Sequence, residues 1–349
     1  MQDLIELTVN NAVLPHTRCQ LKSSAEEAVR NATFQVAWNG PGIPCAPDDE
    51  ATITVGGELW GTGYVRDVRG SHDQRTRDYG VTFVSRTCDA TECSIDHPTG
   101  LKRDGDLLDI AAEFDKLGIG IDGIVKTPPK PVHKVKPGET LFETIETDAR
   151  AQGVLVHDTP EGTLKFADRP EGRHRGALAL GVNIIRANGE LSGARSFSSV
   201  KVRGQASEGT TAAALRAEAE AKGTARRERS LILVHEGEAT SGRLKKRADW
   251  EARRAAGAGT SCTVTVPGFR DEGGRLWTRN FLVAVEDEWL GIEQDMIIAT
   301  SVLDQDATGG STATLTLKDP RALGGENPRG KSADAWESPD DAEPDYHEE

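Results

Sequence analysis

The stretch Ile5-Glu6-Leu7-Thr8-Val9-Asn10 places an apolar side chain at every second position. Successive side chains of a β-strand point to opposite faces, so this alternation is typical of a strand with one buried face. The pattern recurs at residues 33–38, 200–203 and 312–317, and pairs such as Asn188-Gly189 supply turn signals between the runs. Short strands joined by hairpins favour barrels or sandwiches. The sequence therefore predicts an α+β fold that is predominantly antiparallel β.

Helical spacing of apolar residues is confined to a few segments. Residues 107–117 and 141–149 each carry an apolar stripe closed by a glycine, and a longer helix is predicted from Ser241 to about Gly257. The Ala-rich stretch 211–222 has only Leu215 as a large apolar anchor, so we expect at most a weakly packed helix there.

Composition divides the chain into four segments. We expect a β domain over residues 1–92, a mixed α+β middle domain over 93–178, and a second β domain over 179–323 that carries the long helix. Residues 324–349 are rich in Gly, Pro and acids and have almost no apolar surface to offset the entropy of ordering. We therefore expect this acidic tail to be disordered.

Charge and hydropathy exclude several classes of protein. The net charge is 42 − 56 = −14, which argues against a protein that coats duplex DNA, because phosphate binding needs clustered cations. No run of about 18 apolar residues occurs, so no membrane span is predicted. The acidic start of the chain is unlike a signal peptide, and we expect synthesis and retention in the cytoplasm.

No catalytic constellation stands out in the sequence. The eight histidines are scattered among charged and loop residues, and the common phosphate-loop, dinucleotide, zinc-protease and nucleophile-elbow motifs are missing. We therefore predict that the protein is not an enzyme and has neither catalytic nor cofactor-binding residues.

The segment Cys88 to His97 is the sharpest candidate for a local site. Cys88, Cys93 and His97 offer three ligands of a tetrahedral zinc, but no second ligand pair follows, so a loop that joins domains is favoured over a metal site. A Cys88–Cys93 disulfide is a competing interpretation once the protein leaves the cell. We predict no metal here.

A second local candidate is the run Val135-Lys136-Pro137-Gly138-Glu139-Thr140-Leu141, which resembles the opening of a LysM peptidoglycan-binding module. The simpler interpretation is a turn followed by a helix N-terminus, where the acid suits the helix dipole. The alternative function is accordingly that of a cell-wall-binding or wall-degrading component.

The predicted helix 241–257 offers a candidate assembly surface. A narrow stripe of Leu244 and small alanines suits close packing on a sheet, while Trp250 is expected on the opposite side of the helix, beside Arg243, Arg247 and Arg254. Trp and Arg are enriched at interface hot spots. The candidate subunit interface comprises Arg243, Arg247, Trp250 and Arg254, and the alternative is a solvated basic face.

Several segments in order resemble the phage Mu-like tail protein P family, the baseplate hub of contractile tails. The segments that carry the resemblance are Phe197-Ser198-Ser199-Val200-Lys201-Val202-Arg203-Gly204-Gln205, Arg229-Ser230-Leu231-Ile232-Leu233-Val234, Ala248-Asp249-Trp250-Glu251-Ala252-Arg253-Arg254, Gly268-Phe269-Arg270 and Leu276-Trp277-Thr278-Arg279-Asn280. Residues 135–166 also fit the middle domain of that family.

The resemblance implies a homotrimer in the tail baseplate of a virion, made in the host cytoplasm. Two β-barrel-like tube domains per chain would give a pseudo-sixfold ring that joins the sixfold tail tube to the threefold central spike. The implied partners are the tail tube protein, the central spike protein, the tape measure protein and other baseplate proteins, with DNA only as passing cargo and no membrane insertion. The family implies no catalytic residues.

Overall fold

The computed structural model describes residues 3–74, 77–204, 217–235, 241–307 and 309–323. The chain divides into two compact units. Unit 1 contains residues 1–167, 264–270 and 299–315, and unit 2 contains 168–263, 271–298 and 316–349. The four-segment division remains a prediction, and its tail, 324–349, lies outside the described residues.

The first part of unit 1 is an antiparallel ladder of strands. These are β1 (Ile5–Val9), β2 (Ala12–Leu14), β3 (His16–Ser24), β4 (Asn31–Val36), β5 (Glu50–Val55), β6 (Glu58–His72) and β7 (Arg77–Ser85). Their order in the sheet is β3-β4-β7-β6-β5-β1-β2, and residues 300–306 pair with β3. The alternation predicted for the first strand is confirmed, because Ile5, Leu7 and Val9 are buried.

The second part of unit 1 mixes helices with short strands. Its helices are α1 (Cys88–Glu92), α2 (Leu107–Phe114) and α3 (Leu141–Gln152), and its strands are β8 (Leu101–Gly105), β9 (Ile121–Asp122), β10 (Lys130–Lys134), β11 (Leu155–Asp158) and β12 (Leu164–Ala167). α2 and α3 each begin with a capping box, at Asp106 and Thr140, and Gly153 ends α3 at φ +75°. Both predicted helices are therefore present, but α2 ends at Phe114 with Asp115 as its C-cap and Leu117 is 54% exposed, so the predicted end at Gly118 is wrong.

Unit 2 is built on β13 (Gly172–Ala179), β14 (Arg186–Leu191), β15 (Ser199–Arg203), β16 (Glu218–Lys222), β17 (Ser230–Val234), β19 (Phe281–Asp287), helix α4 (Ser241–Gly257) and a 3-10 turn (Pro320–Leu323). The remaining strands, β18 (Thr260–Pro267), β20 (Ile292–Asp306) and β21 (Gly310–Lys318), contribute residues to both units. The prediction of a mostly antiparallel β protein with few helices is confirmed. The predicted turn at Asn188-Gly189 is wrong, because both residues lie inside β14.

The expectation of a helix over the Ala-rich stretch is wrong for its last residues. Glu218–Lys222 is a strand that pairs antiparallel with β15, and residues 211–216 lie outside the described residues. Alanine has a high helix propensity, but here the pairing of Ala219 and Ala221 with Val202 and Val200 buries one face of the strand. Tertiary packing therefore overrides the local preference.

A buried ion pair joins the two parts of unit 1. The Nε of Arg30 lies 2.5 Å from Oδ2 of Asp158, and the two side chains are 3% and 0% exposed. Arg30 also donates to the carbonyl of Trp60, and its guanidinium lies 5.1 Å from the centre of that indole. Each charge is out of water, so each depends on the other for compensation.

A buried polar network orders a turn in unit 2. His174 lies 2.8 Å from Asp271 through Nδ1, while its Nε2 accepts a hydrogen bond from the backbone N–H of Thr278 at 3.2 Å. Burial alone raises the pKa of Asp271, but hydrogen bonds from His174 and from the N–H groups of Arg275 and Arg175 lower that pKa from 3.8 to about 2. The carboxylate therefore contributes stability in its charged form.

Replacement of Arg30 by Met should lower the free energy of unfolding by about 3–5 kcal/mol, because Asp158 is left charged and buried. The matched control is Lys22→Met, which breaks the exposed pair with Glu27 and should cost about 1 kcal/mol or less. Urea unfolding followed by circular dichroism measures both. Equal losses for the two variants would contradict the structural role of the buried pair.

The lowered pKa of Asp271 predicts a pH dependence of stability. Its contribution is present above the ordinary carboxyl pKa of 3.8 and is lost as the pH falls through about 2. The urea midpoint of the native chain should therefore fall more steeply over this interval than that of Asp271→Asn. Asp78→Asn, at an exposed position, is the control and should keep the native slope.

Candidate assembly surface

α4 lies on strands β15 and β16 through its narrow apolar stripe. Leu244 and Ala248 are fully buried, and Ala252 and Ala255 are nearly so. Leu244, Ala248 and Ala252 form one core cluster with Val200, Val202 and Ala221 of the two strands. Alanine side chains let the helix backbone approach the sheet closely, so the predicted helix and its stripe are confirmed.

The C-terminal end of α4 is anchored against the 3-10 turn. A Cβ atom at Gly257 would lie 2.3 Å from the backbone nitrogen of Ala322, a distance that real Cβ atoms essentially never show. Glycine is therefore required here for close approach rather than for a special backbone angle. This contact limits sliding of the helix along the sheet.

The structure places all four candidate interface residues on one flank of α4. The set is Arg243, Arg247, Trp250 and Arg254, and each side chain is half-buried. These positions lie about 60–120° from Leu244 around the helix, so they border the sheet. The expected location on the side opposite the buried stripe is therefore wrong. The fully exposed side is formed by Lys245, Lys246, Asp249 and Arg253.

Within this α4 flank the arginines and the indole are brought together. The guanidinium of Arg254 lies 5.1 Å from the centre of the Trp250 ring, a cation–π arrangement. The Nε1 of Trp250 and the Nε of Arg247 are shielded from solvent, and neither has a hydrogen-bond acceptor within the described part of the chain. Both donors are therefore covered by other atoms of this chain, whereas other parts of the two half-buried side chains remain accessible.

The Cys88–His97 segment holds its three candidate ligands in different environments. Cys88 is buried on α1, where burial raises the pKa of its thiol to about 12, whereas Cys93 is exposed, and both thiols are free. His97 contacts Glu113 at 3.2 Å and accepts from the N–H of Gly100 at 3.1 Å. A buried thiol held protonated is a poor metal ligand, and no metal-binding group of side chains occurs in the described ranges.

The LysM-like turn forms a capped helix start. Thr140 accepts from the N–H of Glu143 at 3.2 Å, and the Glu143 side chain accepts from the N–H of Thr140 at 2.9 Å. Gly138 has φ +86°, as its place in the turn closed by the hydrogen bond from the N–H of Glu139 to the carbonyl of Lys136 requires. These contacts explain the motif as local structure, and glycan binding remains a prediction.

Among the described helices, none is long and apolar enough to cross a membrane.

Sequence reasoning missed an exposed aromatic residue, Trp289. It lies at the tip of the β19–β20 hairpin and is 88% exposed. The local signal was present, because Asp287 and Gly291 flank it as turn residues. Exposure of the indole follows only from the pairing of the two strands.

Two protein-family models match separate parts of the chain. Residues 87–168 match the second domain of the baseplate hub protein gp44-like family. Residues 240–326 match the fourth domain of the Mu phage baseplate assembly protein GpP family, and this match contains α4 and the Trp289 hairpin. The LysM-like turn lies inside the first match.

Similar proteins extend the relationship over nearly the whole chain. The baseplate hub protein gp44 of Escherichia phage Mu is 25% identical over 272 residues, which cover 74% of this chain and 71% of that protein. The 43 kDa tail protein of prophage MuSo2 from Shewanella oneidensis is 27% identical, with a TM-score of 0.81 over 92% of this chain and 99% of the other. A tail protein from Neisseria meningitidis shares the fold, with a TM-score of 0.75 at 18% identity over 93% and 100%. These relatives are components of phage tails and baseplates, and this chain contains two segments that match domains of Mu-type baseplate hub proteins.

Proposed function

We propose that this hub protein forms a homotrimeric ring that joins the sixfold tail tube to the threefold central spike. Three copies of a chain with two barrel-like β domains, at 1–92 and 179–323, supply six similar units for the tube, whereas the trimer itself matches the threefold spike. The middle domain, 93–178, and the acidic tail, 324–349, complete the proposed organisation.

The observation that carries the proposal is the agreement between the hub-domain matches and the structural similarity over 92% of the chain. A partial match would leave room for a hub domain grafted onto another protein. Here the similarity reaches from the N-terminal ladder to the last strands, so the whole architecture supports a hub role.

Surfaces, rather than a reaction centre, carry this function. The proposed partners are the tube protein, the spike protein, the tape measure protein and other baseplate proteins. The net charge of −14 suits a channel through which DNA passes without adhering, because like charges repel. Tail localisation follows from the hub family, and passage of DNA belongs to the proposal.

The α4 flank is the proposed contact between subunits. Trp250 offers a large, rigid contact area, and Arg254 is already positioned over its ring. The anchored helix presents these groups with little loss of entropy on binding.

Sedimentation and native mass spectrometry of the full chain test the ring directly. We expect a trimer, and we expect the trimer to co-sediment with polymerised tube protein and with purified spike protein of the same phage. A chain that stays monomeric at high concentration, and binds neither protein, would contradict the proposed function.

The double substitution Trp250→Ala with Arg254→Ala should weaken trimer assembly by roughly 30-fold or more, because it removes a hot-spot aromatic and its cation. The urea midpoint should change little by comparison, since neither residue belongs to the buried stripe of α4. Lys245→Ala with Lys246→Ala, on the exposed side of the same helix, is the matched control. Normal assembly of the Trp250 variant would remove the α4 flank from the interface.

A further inference from the structure

The Trp289 hairpin is a rigid projection rather than a loose loop. The backbone N–H groups of Trp289 and Leu290 both donate to Oδ1 of Asp287, at 3.1 and 3.0 Å, and Asp287 itself is 2% exposed. The N–H of Gly291 donates to the carbonyl of Glu288 at 3.2 Å, which closes the turn. A fully formed turn therefore holds an indole out in water, where its apolar surface is unfavourable.

Neighbouring segments of unit 2 extend this projection into an apolar patch. Leu180 and Val182, 47% and 80% exposed, follow β13, and the N–H of Leu180 donates to the carbonyl of Glu286 at 3.0 Å. The side chain of Leu290, next to Trp289 in the turn, packs on Gly189 of β14. A Cβ atom at Gly189 would lie 3.1 Å from a methyl group of Leu290.

Exposed acids flank the patch. Glu288 precedes Trp289 in the turn, and Glu293 follows at the start of β20. We call the surface formed by Leu180, Val182, Glu288, Trp289 and Glu293 the Trp289 knob. The knob combines an exposed aromatic side chain with the negative charges of Glu288 and Glu293. A complementary partner surface would be a recess lined by cationic side chains.

Unit 1 carries a recess of that kind on the solvent face of its ladder. Gly80 of β7 pairs with Gln35 on one side and Arg69 on the other, and a Cβ at Gly80 would have no atom nearer than 3.9 Å. The missing side chain opens a groove of about 340 Å³. We call it the Gly80 groove, and its main lining residues are Arg18, Gln20, Gln35, Arg69, Gly80 and Thr82.

The charge of the Gly80 groove complements that of the Trp289 knob. Arg18 and Arg69 are exposed at its rim, and no acidic residue is among the described residues that line it. Arg18 has one loose ion pair, 3.8 Å from Asp306. Guanidinium groups stack on indole faces and also pair with carboxylates, so the same two arginines suit both components of the knob.

We propose that the Trp289 knob of one copy inserts into the Gly80 groove of the adjacent copy. This contact rests on the proposed trimer, because a cyclic threefold ring needs two different and complementary surfaces on each chain. The chain itself carries both surfaces, with opposite charge and with a recess of suitable size for a side chain. That complementarity identifies the occupant as a second copy. The α4 flank is a less suitable recess because Arg254 is already stacked on Trp250.

Four variants of the full chain test the contact by sedimentation velocity at a range of concentrations. Trp289→Ala and Arg69→Glu should each weaken the trimer by roughly 30-fold. Glu288→Arg alone should weaken it as well, and Glu288→Arg combined with Arg69→Glu in one chain should recover most of the loss, since the pair is restored with reversed charges. Ile124→Ala, at a side chain 85% exposed, and Arg77→Glu, at an exposed end of β7, are controls expected to match the native chain.

Mixing two defective chains adds a test of direction. The Trp289→Ala chain keeps its groove and the Arg69→Glu chain keeps its knob, so an equimolar mixture can make one good contact per pair. We expect one-to-one dimers and few closed rings, a result specific to a head-to-tail contact.

Separate outcomes overturn separate claims. A native trimer that persists unchanged in Trp289→Ala overturns the knob contact and leaves the hub function intact. Loss of the trimer in Trp289→Ala but not in Arg69→Glu, or failure of the charge reversal to recover it, overturns the groove as the recess. Loss of tube or spike binding in Trp289→Ala with normal trimers assigns the knob to another baseplate protein and overturns the contact between copies. A native chain that never trimerises contradicts the ring itself.

Discussion

The buried ion pair between Arg30 and Asp158 is the constraint on which unit 1 depends. Both charges have left water, and they compensate each other when the segment between β3 and β4 meets the end of β11. The indole of Trp60 lies against the guanidinium and shields it further. The pair joins the strand ladder to the mixed helix and strand part of the same compact unit, although the composition changes near residue 92.

A comparable polar network orders unit 2. Asp271 accepts hydrogen bonds from His174 and from three backbone N–H groups, those of Arg175, Gly273 and Arg275. A single carboxylate therefore holds together segments that are about a hundred residues apart in the chain. Such networks add specificity to apolar cores, because a register error leaves buried polar groups without partners.

The two aromatic surfaces of this chain, around Trp250 and Trp289, are held by rigid elements, which suits a structural function. A hub must keep its binding surfaces in place under load, and loops that order on binding would lose affinity to entropy. The two aromatic surfaces of this chain follow that rule. Trp250 is borne by a helix packed closely on a sheet, and Trp289 by a turn tied to a buried aspartate.

The sequence by itself determined the type of fold. Period-two alternation identified strands such as β1 and β15, glycine and capping residues located α2 and α3, and the small-residue stripe predicted how α4 packs. These features are local, so they can be recognised in the sequence without knowledge of which segments contact one another in the fold. The ordered set of segments also identified the hub family.

Tertiary structure decided the strand state of Glu218–Lys222, the half-buried position of the α4 flank, the Arg30–Asp158 pair and the exposure of Trp289. Each depends on a partner far away in sequence. The alanines of Glu218–Lys222 adopt a strand because this segment pairs with the edge of β15. The indole of Trp289 is exposed because no other described element covers it. Local propensity and periodicity contain no information about such distant partners. The candidate surfaces could therefore be located only from the tertiary structure.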